Sequence, residues 1–351
     1  AQKLPPMASS LEVMTLLGSE YAKSKIPTLD FYKPETSKAI EKAMLDLTAQ
    51  NAKLEESFWR SSIYNGWLWT IKGLFSFEHE HAKQLPAYMQ SPLWSVKTLM
   101  TASGFWTELR HAAILYAKQS FAEKGGGGEG PCDTRPIPPP AQPYFEPQLE
   151  SYNRLLWLAQ QLDTGITQGG FTLTNQSHLQ TFIDVMKTVI DQTKKQLSNT
   201  AIKEETEDRT RPDPADPTKN CTEHFFKQDH SDWEDLRLGF IFKLLNTAPE
   251  SVEGKILPAK DRRAAIIADV HTGGDSQHDT RILYEGTAIP NVIIVAVKDI
   301  NGPRYTIGFT YMHYEFTETF GGKRLTDEDW QKHFYNGDDP YAAFDYTDSK
   351  T

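Results

Sequence analysis

Ser103-Gly-Phe-Trp-Thr-Glu-Leu-Arg-His-Ala-Ala-Ile-Leu-Tyr-Ala-Lys-Gln-Ser120 reads as one long helix with a large apolar face. Glu108, Arg110, His111, Lys118 and Gln119 are set among its bulky residues. Such polar groups either build a site or brace the fold, and the surrounding sequence has to decide between the two. Upstream, Ser91-Pro92 is a helix start, because proline at the first helical position has no amide hydrogen to lose. Leu54–Phe77 carries Phe58, Trp59, Ile63, Trp67, Leu68, Ile71, Leu74 and Phe75 at helical spacing. Ser10–Ser24 and Glu35–Gln50 are shorter helices separated by Pro27 and Pro34. Downstream, Pro147–Leu162, Asn175–Leu197 and His230–Leu245 repeat the helical pattern.

Past residue 250 the pattern changes. Arg263–Val270 and Asn291–Lys298 are apolar runs with strand character. Arg304–Phe316 alternates with period two, placing Tyr305, Ile307, Phe309, Tyr311, His313 and Glu315 on one face. Asn301-Gly302 is a hairpin signal, and Thr326 with Asp329 opens a last short helix with a capping-box pattern. The fold class is therefore α+β: a mostly helical body over 1–250, then a small antiparallel sheet with a C-terminal helix and tail over 251–351. Two irregular stretches interrupt the body. One is the Gly- and Pro-rich connection 123–147, whose Gly125–Gly128 run is a linker; the other is the charged excursion 202–221.

Composition narrows the function. Of 351 residues, 38% are hydrophobic and 11% aromatic, as in a folded domain, and the net charge of -10 argues against a nucleic-acid partner. No segment reaches the length of a membrane-spanning helix. The chain opens Ala1-Gln2-Lys3, which reads as a processed product of an exported precursor. The removed N-terminal region, or another surface protein, is then a candidate partner. Cys132 and Cys221 both lie in polar loop sequence, so one disulfide between them is expected in an exported chain. The sequons at Asn175 and Asn220 fit the same setting.

Three clusters could carry chemistry. Glu108 and His111, three apart on one helix, have the spacing of a carboxylate–histidine metal pair, but no second such pair occurs on a comparably apolar helix. Asp269, His271, Asp275, His278, Asp279 and Glu285 lie where the first strand ends and a loop begins. Asp269, His271, Asp275, Asp279 and Glu285 together could hold one calcium ion, although EF-hand spacing is absent. His313-Tyr-Glu315 lies on the last long strand, and its convergence with Glu108 and His271 at one place is the sharpest structural expectation. Glu-His79-Glu-His81 lacks the spacing of a zinc-protease helix. Phosphate loops, dinucleotide fingerprints and serine-nucleophile elbows are missing from the sequence.

The phrases Phe105-Trp-Thr-Glu-Leu-Arg-His111, Leu115-Tyr-Ala-Lys-Gln-Ser120, Ile267-Ala-Asp-Val-His-Thr272, Tyr311-Met-His-Tyr-Glu-Phe316 and Arg324-Leu-Thr-Asp-Glu-Asp-Trp330 resemble an uncharacterised family. It is a domain of unknown function found mainly in exported bacterial and archaeal proteins. The chain looks like the C-terminal half of such a protein, with the likeness running over about residues 55–335. The resemblance implies export and a shared fold, and no known reaction. The chain departs from the family pattern at Ala112-Ala113, where a polar pair is more usual, and around Gly273–Asp279. The expectation is thus a secreted or cell-surface binding or structural protein, with one calcium ion as its candidate cofactor. The alternative is a metal-dependent hydrolase with Glu108, His111, Asp269 and His271 around a metal-bound water, and Glu315 as a further catalytic candidate.

Overall fold

The computed structural model describes residues 9–29, 32, 38–78, 85–113, 144–171, 176–198, 206–213, 216–226, 265–273, 280–299 and 302–334. It is a mostly helical α+β chain, with its small antiparallel sheets towards the C-terminus. Two compact units interleave along the sequence. One takes 1–118, 147–169 and 263–351, the other 119–146 and 170–262.

In the first unit the expected N-terminal helix divides into α1 (Ser10–Leu16) and α2 (Glu20–Lys25). Ser19 accounts for the division, since its hydroxyl accepts the Ala22 N–H at 3.1 Å and caps a new helix. The second helix forms as α3 (Lys38–Asn51). The expected helix over 54–77 likewise breaks, into α4 (Glu56–Trp59) and α5 (Ile63–Gly73), because Ser62 caps α5 through Asn65 N–H at 3.1 Å. The motif helix is α6 (Pro92–Ala113), and its expected continuation over 114–120 lies outside the described residues.

α7 (Leu149–Gln168) packs closely on α5. Two glycines on α5 permit this approach. A Cβ on Gly66 would stand 2.8 Å from the Trp157 ring, and one on Gly73 would stand 2.9 Å from the Ser151 backbone. Met14, Leu17, Trp59, Trp69, Ile71, Phe75, Ala102, Trp106 and Leu109 form the buried core that these helices share.

The same unit holds two sheets. In one, β3 (Ile267–Gly273), β4 (Arg281–Thr287) and β7 (His313–Thr319) run antiparallel with β4 in the centre. In the other, β5 (Asn291–Asp299) pairs with β6 (Gly302–Thr310) as a two-stranded ribbon. This corrects the reading of 304–316 as one strand. The chain leaves β6 at Tyr311-Met312, where Ala288 N–H bonds to Met312 O at 3.1 Å, and re-enters the other sheet as β7. Unbroken alternation carries no sign of such a switch. The last helix, α9 (Asp327–Gln331), starts as expected, with Asp329 N–H donating to Thr326 Oγ1 at 3.2 Å.

In the second unit are α8 (Gln176–Leu197) and an antiparallel ribbon of β1 (Thr206–Asp213) and β2 (Asp216–Phe226). This ribbon corrects the reading of 202–221 as a charged excursion: threonines and the Phe225-Phe226 pair suit strands even among charges. Cys221 lies in β2. Cys132, and with it the expected disulfide, lies outside the described residues, as do 230–245, Gly125–Gly128, His79 and His81.

Candidate functional site

The site is a polar seam where α6 and α1 meet the three-stranded sheet. Register fixes its composition. Glu285, in the middle of the central strand β4, stands opposite Ala268 on β3 and Glu315 on β7. Thr287 stands opposite His313. Alternation sends Leu283, Glu285, Thr287, His313 and Glu315 to one face, and the aromatic residues Tyr284, Tyr314 and Phe316 to the other.

The first face packs on α6. A Cβ on Gly104 would stand 3.5 Å from Thr287 Cγ2, and Trp106 and Thr107 lie beside Glu285. Arg110 reaches over and donates to Val270 O at 3.1 Å. From α1, the Ser10 amide donates to Glu315 Oε2 at 2.6 Å. Glu12 joins the cluster, holding Tyr32 Oη on one oxygen and the Ser9 amide, at 2.7 Å, on the other.

Glu285 is fully buried, and neither of its oxygens closes a hydrogen bond. Burial first, then the facing Glu315, pushes its carboxyl up to about 8, against the opposing pull of Trp106, Arg110 and Thr107. At neutral pH it is a neutral acid. The Thr107 hydroxyl donates to Ser103 O at 3.0 Å. Burial also raises Glu315, opposed by the Ser10 amide, and lowers the His313 imidazole to about 4. The His313 Nε2 has no hydrogen-bond partner.

The other end of the seam is a set of locks. His111 Nε2 meets Asp327 Oδ2 at 2.8 Å, while Asp327 Oδ1 accepts the Ile267 amide at 2.9 Å. One carboxylate thereby ties α6, β3 and α9 together. Its hydrogen bond, followed by its charge and that of Glu108, raises the His111 pKa against the effect of burial. Asp269 pairs with Arg324, which also donates to Thr272 Oγ1 at 3.0 Å. On the aromatic face Trp330 stacks on Phe316 at 5.5 Å and donates from Nε1 to Thr287 O at 2.7 Å. Gln331 bonds to Ala265 O at 3.0 Å. Gly286 makes room for Trp330, since a Cβ there would stand 2.8 Å from the indole.

The candidates from sequence are thus distributed unevenly. Arg110 docks β3 directly, His111 docks it through Asp327, and Glu315 joins Glu285. Asp269 leaves the group: it stands opposite Tyr284, on the face away from Glu285, so one calcium ion cannot take both. His271 lies past the bulge between Asp269 and His271, opposite Leu283, at an exposed end of the seam. Glu108 sits on α6, near enough to His111 and Tyr311 to act on both electrostatically. Asp275 and Asp279 lie outside the described residues. Among the described residues no group of three His, Cys, Asp or Glu is set to hold a metal ion.

Sequence reading missed β4 itself, and with it the burial of Glu285. Arg281-Ile-Leu-Tyr-Glu-Gly-Thr287 held the available signal, a single carboxylate set in a short apolar run. It also missed Glu12, Arg324 and Asp327 as partners.

The family model for a protein of unknown function (DUF3160) matches residues 2–344. The chain belongs to this uncharacterised family. The match takes in both the helical portion and the sheets, a wider span than the motif phrases alone cover. No curated protein and no solved structure matches the chain.

Proposed function

We propose that this family member is a binding or structural protein whose motif residues fasten its helices to its sheet rather than turn over a substrate. The carrying observation is the double use of Asp327, which holds His111 of α6 and the Ile267 amide of β3 at once. A histidine and a carboxylate committed in this way are poor metal ligands, because binding an ion would break the lock. Asp269 is likewise engaged by Arg324. Secretion or display at the cell surface rests on the family resemblance, and fractionation of native cells checks it. Elemental analysis of the purified chain tests the rest. Calcium or no metal is the expected result; stoichiometric zinc, manganese or iron overturns the reading in favour of a metal-dependent hydrolase.

A further inference from the structure

The β5–β6 ribbon is apolar on both faces, and among the described residues only one face is covered. Ile293 and Val295 point to a buried cluster of Phe77, Met89 and Trp94. The opposite face carries Val292, Ile294, Tyr305, Ile307 and Phe309, each between 62% and 79% exposed, and Tyr311 continues it beyond the strand. A strand reading Asn-Val-Ile-Ile-Val-Ala-Val-Lys is the composition of one buried on both sides. Contiguous apolar patches of this size on a folded chain mark interaction surfaces.

We infer that this face is a two-fold interface between two copies of the chain. Register supplies the first reason. Val292 pairs with Phe309, Ile294 with Ile307 and Ala296 with Tyr305, so the β5 side of the face is thin and the β6 side thick. A two-fold axis parallel to the strands, between two ribbons packed face to face, sets β5 of one copy over β6 of the other. The thick side then meets the thin one: Tyr305 lies over the partner's Ala296, Phe309 over the partner's Val292, and Ile307 over the partner's Ile294. The face is complementary to itself.

Charge is the second reason. The chain carries a net -10, and two copies approach most cheaply through a neutral face. Lys298 is the one charged side chain on these exposed positions, and it lies at the turn end, away from the Ile294–Ile307 centre. Area is the third. Three aromatic and three aliphatic side chains at these exposures present roughly 700 Å², near the ~800 Å² per partner of a standard interface. Self-association through this face needs no assumption about catalysis.

Sedimentation velocity on the full chain, over a concentration series into the tens of micromolar, tests the inference. A species of twice the 39.8 kDa chain mass is expected. Ile294→Glu and Ile307→Glu place charge at the centre of the interface, on positions already exposed in one copy. Each is expected to weaken association at least 100-fold with an unchanged circular dichroism spectrum. A mixture of two single variants, Ala296→Cys and Tyr305→Cys, gives the geometric readout even if a charge variant fails to fold. An intermolecular 296–305 cross-link formed by a short bismaleimide, mapped by mass spectrometry, is expected, because facing sheets stand about 10 Å apart and a direct disulfide would not reach. A monomer at every concentration overturns the inference. So does a dimer indifferent to both charge variants and lacking that cross-link, or a monomer that binds lipid vesicles through this face.

Discussion

Glu285 sets the energetics of the seam. Its carboxyl is fully buried, without a hydrogen bond of its own, and faces a second carboxyl across the strand pair. In the unfolded chain it ionises near the ordinary carboxylate value, and in the folded chain only near 8. Between those values the native state holds the extra proton, so this residue makes stability fall as pH rises through that window. His313 works in the opposite sense. Its folded value near 4 lies below that of a free imidazole, so the unfolded state binds the extra proton and stability falls as pH drops from about 6.5 towards 4. From about 4.5 to 6.5 the two slopes oppose each other; above that, Glu285 acts without this counterweight. Glu285→Gln keeps the shape and removes the titration. It should stabilise the chain at pH 7 by up to roughly 3 kcal/mol and leave it nearly unchanged at pH 4. Urea midpoints at the two pH values measure this, and equal effects at both would exclude a neutral native Glu285.

At the scale of elements, α6 is a strut between the helical core and the sheet. Trp106 and Leu109 belong to the core, while Arg110 and His111, in the next turn, hold β3 and α9. Asp327→Asn keeps an acceptor for the Ile267 amide and loses the charge that raises His111. A loss of about 1–2 kcal/mol is expected near pH 6, shrinking as pH rises past the folded pKa of His111, where the wild-type lock also discharges. Gly286→Ala should cost about 1–3 kcal/mol, because a Cβ there overlaps the Trp330 ring; thermal unfolding checks both variants.

Much of this scale is legible in the sequence. Pro92 starts α6, Thr326 starts α9, and the strand character of 291–298 is plain. What escapes are events decided by partners. β4 has three apolar residues followed by a glutamate, a pattern that becomes a central strand only because β3 and β7 flank it. Serines 19 and 62 divide two expected helices, since a cap within a periodic run leaves the period intact. The spacing of Glu108 and His111 also suits metal, yet His111 is engaged by Asp327, more than 200 residues away along the chain.

Over the whole molecule, the first unit is closed by contacts between its two ends. The Ser10 amide of α1 bonds to Glu315 of β7 across 305 residues, and Met14 and Leu17 enter the core that α6 shares. Its segments alternate along the chain with those of the second unit. Contacts of such sequence separation make closure slow and all-or-none, because the loop entropy is lost before any contact repays it. Removing residues 1–18 deletes the donor to the Glu315 carboxylate together with two buried apolar side chains, Met14 and Leu17. At roughly 1.5–3 kcal/mol for each apolar side chain, plus about 1 kcal/mol for the lost hydrogen bond, the loss is a large part of the stability of a typical domain. Hydrogen exchange then separates two pictures. If the unit is one cooperative body, the truncation should accelerate exchange in β4 and β7 at the far end of the chain, alongside α5 and α6. Protection that falls only in the helices, with the β4 and β7 amides as slow as before, would show that the sheet holds itself together without α1.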